Sequence, residues 1–288
     1  ENVFKFIFQN TCMNTREILG ILRTAGLIQL VDKFRFAWEY VRHYPVNRHF
    51  LSKHRGQAFP PPYMLYEAFR MDYQKYWESG QATARWIQSV TAGHLPVGVA
   101  LDILDWGCGP ARVLRHLPGV FGEGHRCRGA DYNPLTVAWC REQAGLGQVT
   151  LCPSAPPCPY DTGTFDLIYG ISVFTHLPES AHYRWREELL RIAKPGGILF
   201  LTLQGPAFLG KLQPFEQQLF TQGKPVFRGK TRAGHRTFSA FHPEPWARDF
   251  FAGQFEVITY LPGGEKPWGI EQDVWLLRKP QETFTPPS

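Results

Sequence analysis

Leu101-Asp102-Ile103-Leu104-Asp105-Trp106-Gly107-Cys108-Gly109-Pro110-Ala111-Arg112-Val113-Leu114 is the stretch that decides the fold. An apolar run ends in an acid, two glycines one residue apart follow, and a helix-like pattern begins. That order reads as a buried strand, a tight turn at its carboxyl end and a helix packed back on a sheet. Gly107 and Gly109 lack a Cβ, so the turn can take positive φ and a ligand can approach its backbone. Pro110 is pre-set for a first helical turn, and Gly119 is placed to end that helix.

Two ligand classes use such a turn. A dinucleotide site wants G-x-G-x-x-G, with phosphate on the helix N-terminus. Here Arg112 stands where the last glycine belongs, and Asp105 sits two residues before the first. That acid repels a pyrophosphate but suits a cationic, phosphate-free ligand. The neighbours decide between the two.

Downstream, Arg128-Gly129-Ala130-Asp131-Tyr132-Asn133-Pro134 forms a short second strand ending in an acid, 24 residues past Gly107. A carboxylate there can accept from ribose hydroxyls. Asn133 and Pro134 read as N-cap and first residue of a helix whose Leu135, Ala138 and Trp139 share one face. Further on come Phe165-Asp166-Leu167-Ile168-Tyr169-Gly170 and Ile171-Ser172-Val173-Phe174-Thr175-His176-Leu177. An amphipathic helix and Lys194-Pro195-Gly196-Gly197 then lead into the strand Ile198-Leu199-Phe200-Leu201. Five motifs in this order, over roughly residues 100–204, resemble the class I S-adenosylmethionine (SAM)-dependent methyltransferases of small-molecule type.

The resemblance implies an α/β, Rossmann-like seven-stranded sheet with helices on both faces, an N-terminal helical region and a lid insertion. It implies SAM as cofactor, S-adenosylhomocysteine as product and no metal. Asp105 is expected at the amino-acid end of SAM, with backbone of Gly107, Cys108 and Gly109 on the methionine part. Asp131 is expected on the ribose, with Tyr132 and Asn133 beside it and Gly170 and Ile171 at the fourth strand's end. Many relatives place an acid before the fourth strand to accept from the adenine amino group. Here Pro153-Ser154-Ala155-Pro156-Pro157-Cys158-Pro159-Tyr160 puts Ser154 there, a weaker acceptor, with the Ala155 amide as donor.

An alcohol or phenol acceptor usually needs a base of near-neutral pKa, whereas an amine needs only to be uncharged. His176 lies just past the fourth strand. His242, in Phe241-His242-Pro243-Glu244, is expected to enter from the lid side, and we favour it as the base on that ground.

The flanks read less sharply. Ile18, Leu22, Leu27, Leu30, Val31 and Phe34 recur at helical spacing, with Gly26 as a break. Phe59-Pro60-Pro61-Pro62 cannot continue a helix. Tyr63 to Val90 is helical and aromatic, and Ser79-Gly80 marks a close approach near the methionine end. We therefore divide the chain into a helical cap (1–95), a SAM-binding core (96–280) with a lid at about 205–240, and a loose tail (281–288). Phe255–Tyr260 and Asp273–Leu277 read as the closing antiparallel hairpin.

Length allows one large domain or one domain with an appendage, and a 43% hydrophobic content is enough to bury a sizeable core. Net charge is +6, concentrated outside the core: residues 16–55 hold eight Lys/Arg against three acids, and 205–248 seven against two. Such flanks are solvated faces or attract an anionic acceptor, such as a sugar- or phosphate-bearing compound. No apolar run has membrane-span length, no RNA-binding module is legible, and the N-terminus lacks a signal-peptide pattern. Six cysteines with no C-x-x-C pair suggest reduced thiols and a cytoplasmic setting. Oligomeric state is not legible. The alternatives are a non-catalytic SAM-binding scaffold, an RNA or protein methyltransferase and, more distantly, a nicotinamide oxidoreductase.

Overall fold

The computed structural model describes residues 28–69, 71–143, 145–228, 238–267 and 269–281. Ile18, Leu22, Gly26 and Leu27, the middle of the expected lid (229–237) and the tail from 282 lie outside the described residues. The chain divides into two compact units, Glu1–Tyr76 and Trp77–Ser288.

The first unit holds α1 (Ile28–Lys53) and α2 (Pro62–Ala68). Phe36 packs edge-on against Tyr66, and Phe59 against both Phe50 and Tyr73. Asn47 crosses between segments, donating to Met71 O (3.2 Å) and accepting from Tyr73 N (3.1 Å). Leu30 and Phe34, which recur at helical spacing, are 54% and 70% exposed, while Phe36 packs on Tyr66.

In the second unit lies most of α3 (Tyr73–Thr91), followed by β1 (Asp102–Trp106), α4 (Leu117–Phe121), β2 (Arg126–Asp131), α5 (Pro134–Glu142) and β3 (Gln148–Leu151). Then come β4 (Phe165–Gly170), α6 (Glu179–Ile192), β5 (Ala193–Leu203), α7 (Pro214–Thr221), β6 (Val226–Arg228), β7 (Ser239–Phe241) and α8 (Glu244–Phe251). The chain closes with β8 (Glu256–Leu261), the two-residue strands β9 (Glu265–Lys266) and β10 (Gly269–Ile270), and β11 (Asp273–Arg278).

The main sheet has seven strands in the order β3-β2-β1-β4-β5-β11-β8. β1 to β5 run parallel, and β11 is antiparallel to both neighbours. The order reverses between β1 and β4, so β1 carries the switch point, where a ligand crevice opens at the strands' carboxyl ends. Side chains alternate across the sheet. Ile103, Leu167, Tyr169 and Phe200 join Ile87, Val137 and Leu114 on one face. Leu104, Trp106, Ile168 and Leu199 join Trp185, Leu189 and Trp275 on the other.

Two local expectations change. No helix starts at Pro110, because Ala111 sits at φ 59, in the left-handed region that ends helices. The chain instead makes a 3₁₀ turn at Leu114–His116 and then α4, which Gly122 (φ 113) closes rather than Gly119. In α5 the Asn133 cap holds, its Oδ1 accepting from Leu135 N at 3.0 Å. The buried face, however, is Thr136, Val137 and Cys140, while Leu135 is 74% exposed.

Candidate active site

The crevice floor is the turn after β1. Gly107 (φ 77) and Gly109 (φ 50) adopt the backbone their missing Cβ permits. The turn's N–H groups point inward. Gly107 N and Cys108 N both donate to Ala130 O (2.8 and 3.0 Å), and Gly109 N donates to Asp131 Oδ2 (2.9 Å). A phosphate needs such donors. With all three spent inside the protein, the turn has only carbonyl oxygen and close approach to offer, which suits a cation. Below it the Cys108 thiol is buried, which holds its pKa well above 9, so it is neutral packing rather than a nucleophile.

Two carboxylates flank this turn. Asp105 lies in β1 beside Gly129 and Tyr169, 4% exposed. Burial pushes its carboxyl up to about 7, against the lowering influence of Tyr169 and Arg112. The Tyr169 hydroxyl lies near enough to lower the Asp105 pKa, though it meets no partner of full hydrogen-bond geometry among the described residues. Asp131 is buried at the end of β2, and burial raises its pKa despite bonds from backbone amides. Its Oδ1 accepts from Asn133 N (2.8 Å) and its Oδ2 from Gly109 N, tying two turns together. The Tyr132 amide also bonds this carboxylate, so about one of its four acceptor positions remains for a ribose hydroxyl. Tyr132 and Asn133 stand half-buried beside it.

Helix α3 is fastened to the same turn. Arg112 Nη1 reaches Ser79 Oγ (3.2 Å) and Thr83 Oγ1 (3.3 Å). A Cβ on Gly80 would lie 2.0 Å from Arg112 O, so this glycine is where the helix backbone meets the turn. Gly80 was expected at the cofactor; its close approach is to protein. Gly170 plays a similar part, since a Cβ there would meet the Trp106 ring at 2.7 Å, and half-buried Ile171 follows it.

The loop after β3 carries exposed Ser154 and half-buried Ala155. Trp185 Nε1 donates to Ser154 O at 3.4 Å. Cys152 and Cys158 bracket this loop and form a disulfide, which corrects the expectation of reduced thiols for this pair; Cys108, Cys127 and Cys140 are free. The spacing around a proline-rich loop was the available signal.

At the ends of β4 and β5 the polar groups interlock. Ser172 sits at φ 62. Its N–H donates to Thr202 Oγ1 (2.8 Å), and both hydroxyls donate to Gln272 Oε1 (3.0 and 2.7 Å). A non-glycine residue in this conformation costs about 1–3 kcal/mol and clusters at functional sites. His176 follows, half-buried, with Nδ1 2.8 Å from Phe238 O. A carbonyl can only accept, so Nδ1 carries the hydrogen and the neutral ring keeps its lone pair on Nε2.

His242 is not where the sequence suggested. It is 1% exposed, and its Nε2 lies 2.9 Å from Nε2 of His182, itself fully buried. Trp246 stacks on the His242 ring (5.3 Å) and Phe227 closes another side. Burial, then the neighbouring His182, holds the His242 pKa well below 6.5; burial lowers His182 to about 4. Both rings are therefore neutral. The cause is α6, whose first turn brings His182 over Pro178 at the strand ends. Nothing in the sequence distinguished His182 from other polar residues of an amphipathic helix. No group of three or more His, Cys, Asp or Glu side chains among the described residues could hold a metal ion. No helix among them is long and apolar enough to cross a membrane.

Residues 104–201 match the family described as methyltransferase domain. The chain is similar to a chloroplastic tocopherol O-methyltransferase of Arabidopsis thaliana, 28% identical over 126 residues, 41% of this chain and 35% of that protein. It is also similar to a tRNA (carboxymethyluridine(34)-5-O)-methyltransferase of the same plant, 30% identical over 121 residues, 42% of this chain and 26% of that protein. These matches thus span about a third or less of the curated relatives' length. Among solved structures, the Burkholderia thailandensis 1,6-didemethyltoxoflavin-N1-methyltransferase, crystallised with its substrate and S-adenosylhomocysteine, has the same fold. It superposes with a TM-score of 0.51 at 15% identity, covering 78% of this chain and 93% of that one.

Proposed function

We propose that this chain, whose core is a class I SAM-dependent methyltransferase domain, methylates an oxygen or nitrogen of a small-molecule acceptor. One observation supports the choice of cofactor above the others: the turn's amides are spent internally while two buried carboxylates flank it. That arrangement fits a ligand bearing an ammonium and a sulfonium, and disfavours a pyrophosphate. When bound, SAM supplies an electrophilic methyl group on a sulfonium.

The chain's own residues do the rest. Asp105 ionises against the ligand's positive charge, and Asp131 accepts from the ribose hydroxyls. Tyr132 and Asn133 border the sugar; Ser154 and Ala155 face the adenine. Alignment then governs the rate. His176, on the turn after β4, is the base for an oxygen acceptor, since the Phe238 carbonyl fixes its tautomer with the basic nitrogen at Nε2. His242, dry and unprotonated, is not placed for that service. The basic stretches at 16–55 and 205–248 favour a second reading, an RNA acceptor, in keeping with the tRNA-modifying relative.

The deciding experiment incubates the protein with SAM and an acceptor library, read by mass gain of one methyl group. Phenols, amines, glycosides, phosphorylated compounds and a tRNA fraction should all be present. Methylation of a small molecule supports the reading, and methylation of tRNA alone supports the second. SAM binding without turnover on any acceptor would leave a scaffold protein.

A further inference from the structure

The buried histidine pair has a direction. His182 Nδ1 lies 3.0 Å from Pro178 O, so it carries a hydrogen, and the neutral ring offers its lone pair on Nε2. The 2.9 Å contact then obliges His242 Nε2 to donate. What remains is the lone pair on His242 Nδ1, a buried atom with no hydrogen-bond partner among the described residues.

A second buried acceptor stands next to it in the fold. Gln204 follows β5 directly, and its carbonyl accepts from His242 N at 2.8 Å. The Gln204 side-chain oxygen is likewise buried and without a partner among the described residues. A buried acceptor left without a donor is costly, and native folds leave few of them. The location is the carboxyl end of β5. Between His242 and the Phe238 carbonyl that holds His176 lies only β7, which packs on the turn bearing His176.

We propose that His242 Nδ1 and Gln204 Oε1 form a donor-seeking socket for an O–H or N–H group of the methyl acceptor other than the one methylated, with His182 as the positioning residue that fixes the His242 tautomer. The proposal rests on the methyltransferase reading and sharpens it. The group seated there is a neutral hydroxyl, amine or amide. A carboxylate or phosphate oxygen would face two acceptors and be repelled, so any anionic part of the acceptor lies elsewhere.

The test uses the full chain labelled with ¹⁵N-histidine at pH 7, saturated with S-adenosylhomocysteine, whose binding is measured separately by calorimetry. Long-range ¹H–¹⁵N spectra should show His182 protonated on Nδ1 and His242 on Nε2. Adding phenol or acetamide should move the His242 Nδ1 resonance, and adding benzoate or acetate should not. His182→Phe should abolish that response and mix the His242 tautomers, whereas His182→Gln, whose amide oxygen can accept from His242 Nε2, should restore both. Affinity for S-adenosylhomocysteine should stay within about twofold in each. A proton on His242 Nδ1 in the parent protein, an equal response to the anions, or a response surviving in His182→Phe overturns the proposal. Should His182→Phe not fold, the parent spectra and the probe comparison decide alone. Failure to bind S-adenosylhomocysteine with the tautomers as described would count against the methyltransferase reading, not against the histidine geometry.

Discussion

β1 carries two aspartates three residues apart, and its two ends treat them oppositely. At the amino end Asp102 meets Arg126 in a two-pronged contact (2.7 and 2.6 Å) and Lys194 at 3.3 Å, and the Arg126 hydrogen bond leads in lowering its pKa. Lys194 also bonds Asp166 at 2.7 Å, so four parallel strands, β2, β1, β4 and β5, are clamped together there. At the carboxyl end Asp105 is buried, forms no ion pair among the described residues, and has its pKa pushed up to about 7. One end of the strand has its charge compensated inside the fold. The other keeps a carboxyl whose charge awaits a partner, which is the electrostatic mark of a binding site.

The largest effect expected is at the site's open side. His176→Ala should lower kcat on an oxygen acceptor by about 10²–10⁴-fold, the contribution of a positioned base. Binding of SAM, read by calorimetry, should barely change. An unchanged kcat for the variant would point to an amine acceptor that needs no base.

Asp105→Asn and Asp102→Asn should separate the two ends. Asp105 holds its proton more tightly in the folded state, at about 7 against 3.8, so its burial costs stability progressively as pH rises through that window. The stability of Asp105→Asn relative to the parent should therefore grow by about 1.4 kcal/mol per pH unit between roughly pH 4 and 7, read by urea unfolding. Its affinity for SAM should fall. Asp102→Asn should do the reverse, losing about 1.5–3 kcal/mol of stability at pH 7 with SAM affinity intact. Equal behaviour of the two variants would erase the distinction.

Asp131→Ala should weaken SAM binding by about 1.5–3 kcal/mol, the scale for hydrogen bonds to a charged group. His182 tests burial from the other side. Its folded pKa of about 4 lies below 6.5, so the unfolded chain takes the proton first and stability falls as pH drops from about 6.5 to 4. Unfolding curves across that range should flatten for His182→Gln. The smallest change expected is Ala111→Gly. It relieves a left-handed backbone worth about 1–2 kcal/mol but removes a buried methyl worth about 0.8 and adds chain entropy, leaving Tm nearly unchanged. A large loss would mean that the turn needs the methyl more than the conformation.

β1, β4 and β5 were legible because buried parallel strands read as apolar runs, whereas the seven-stranded arrangement came from the family resemblance. The turn of Gly107 and Gly109, the acids Asp105 and Asp131, and the Asn133 cap followed from short-range chemistry. What escaped depended on contacts distant in sequence. Ala111 at positive φ, Gly80 against Arg112 O, and the pairing of His182 with His242 all join segments that no local pattern connects. Leu135 and Phe34 escaped for another reason: helical spacing names a face without saying which side the rest of the fold covers.

Calorimetric titration with SAM at pH 7, repeated in buffers of different ionisation enthalpy, tests the central claim most directly. Saturable one-site binding is expected, with no competition from NADH at millimolar concentration and release of part of a proton as the ligand's cation drives Asp105 to its charged form. That proton release should vanish in Asp105→Asn. Binding of NADH in place of SAM, or SAM binding with the same proton release in Asp105→Asn, would contradict that claim.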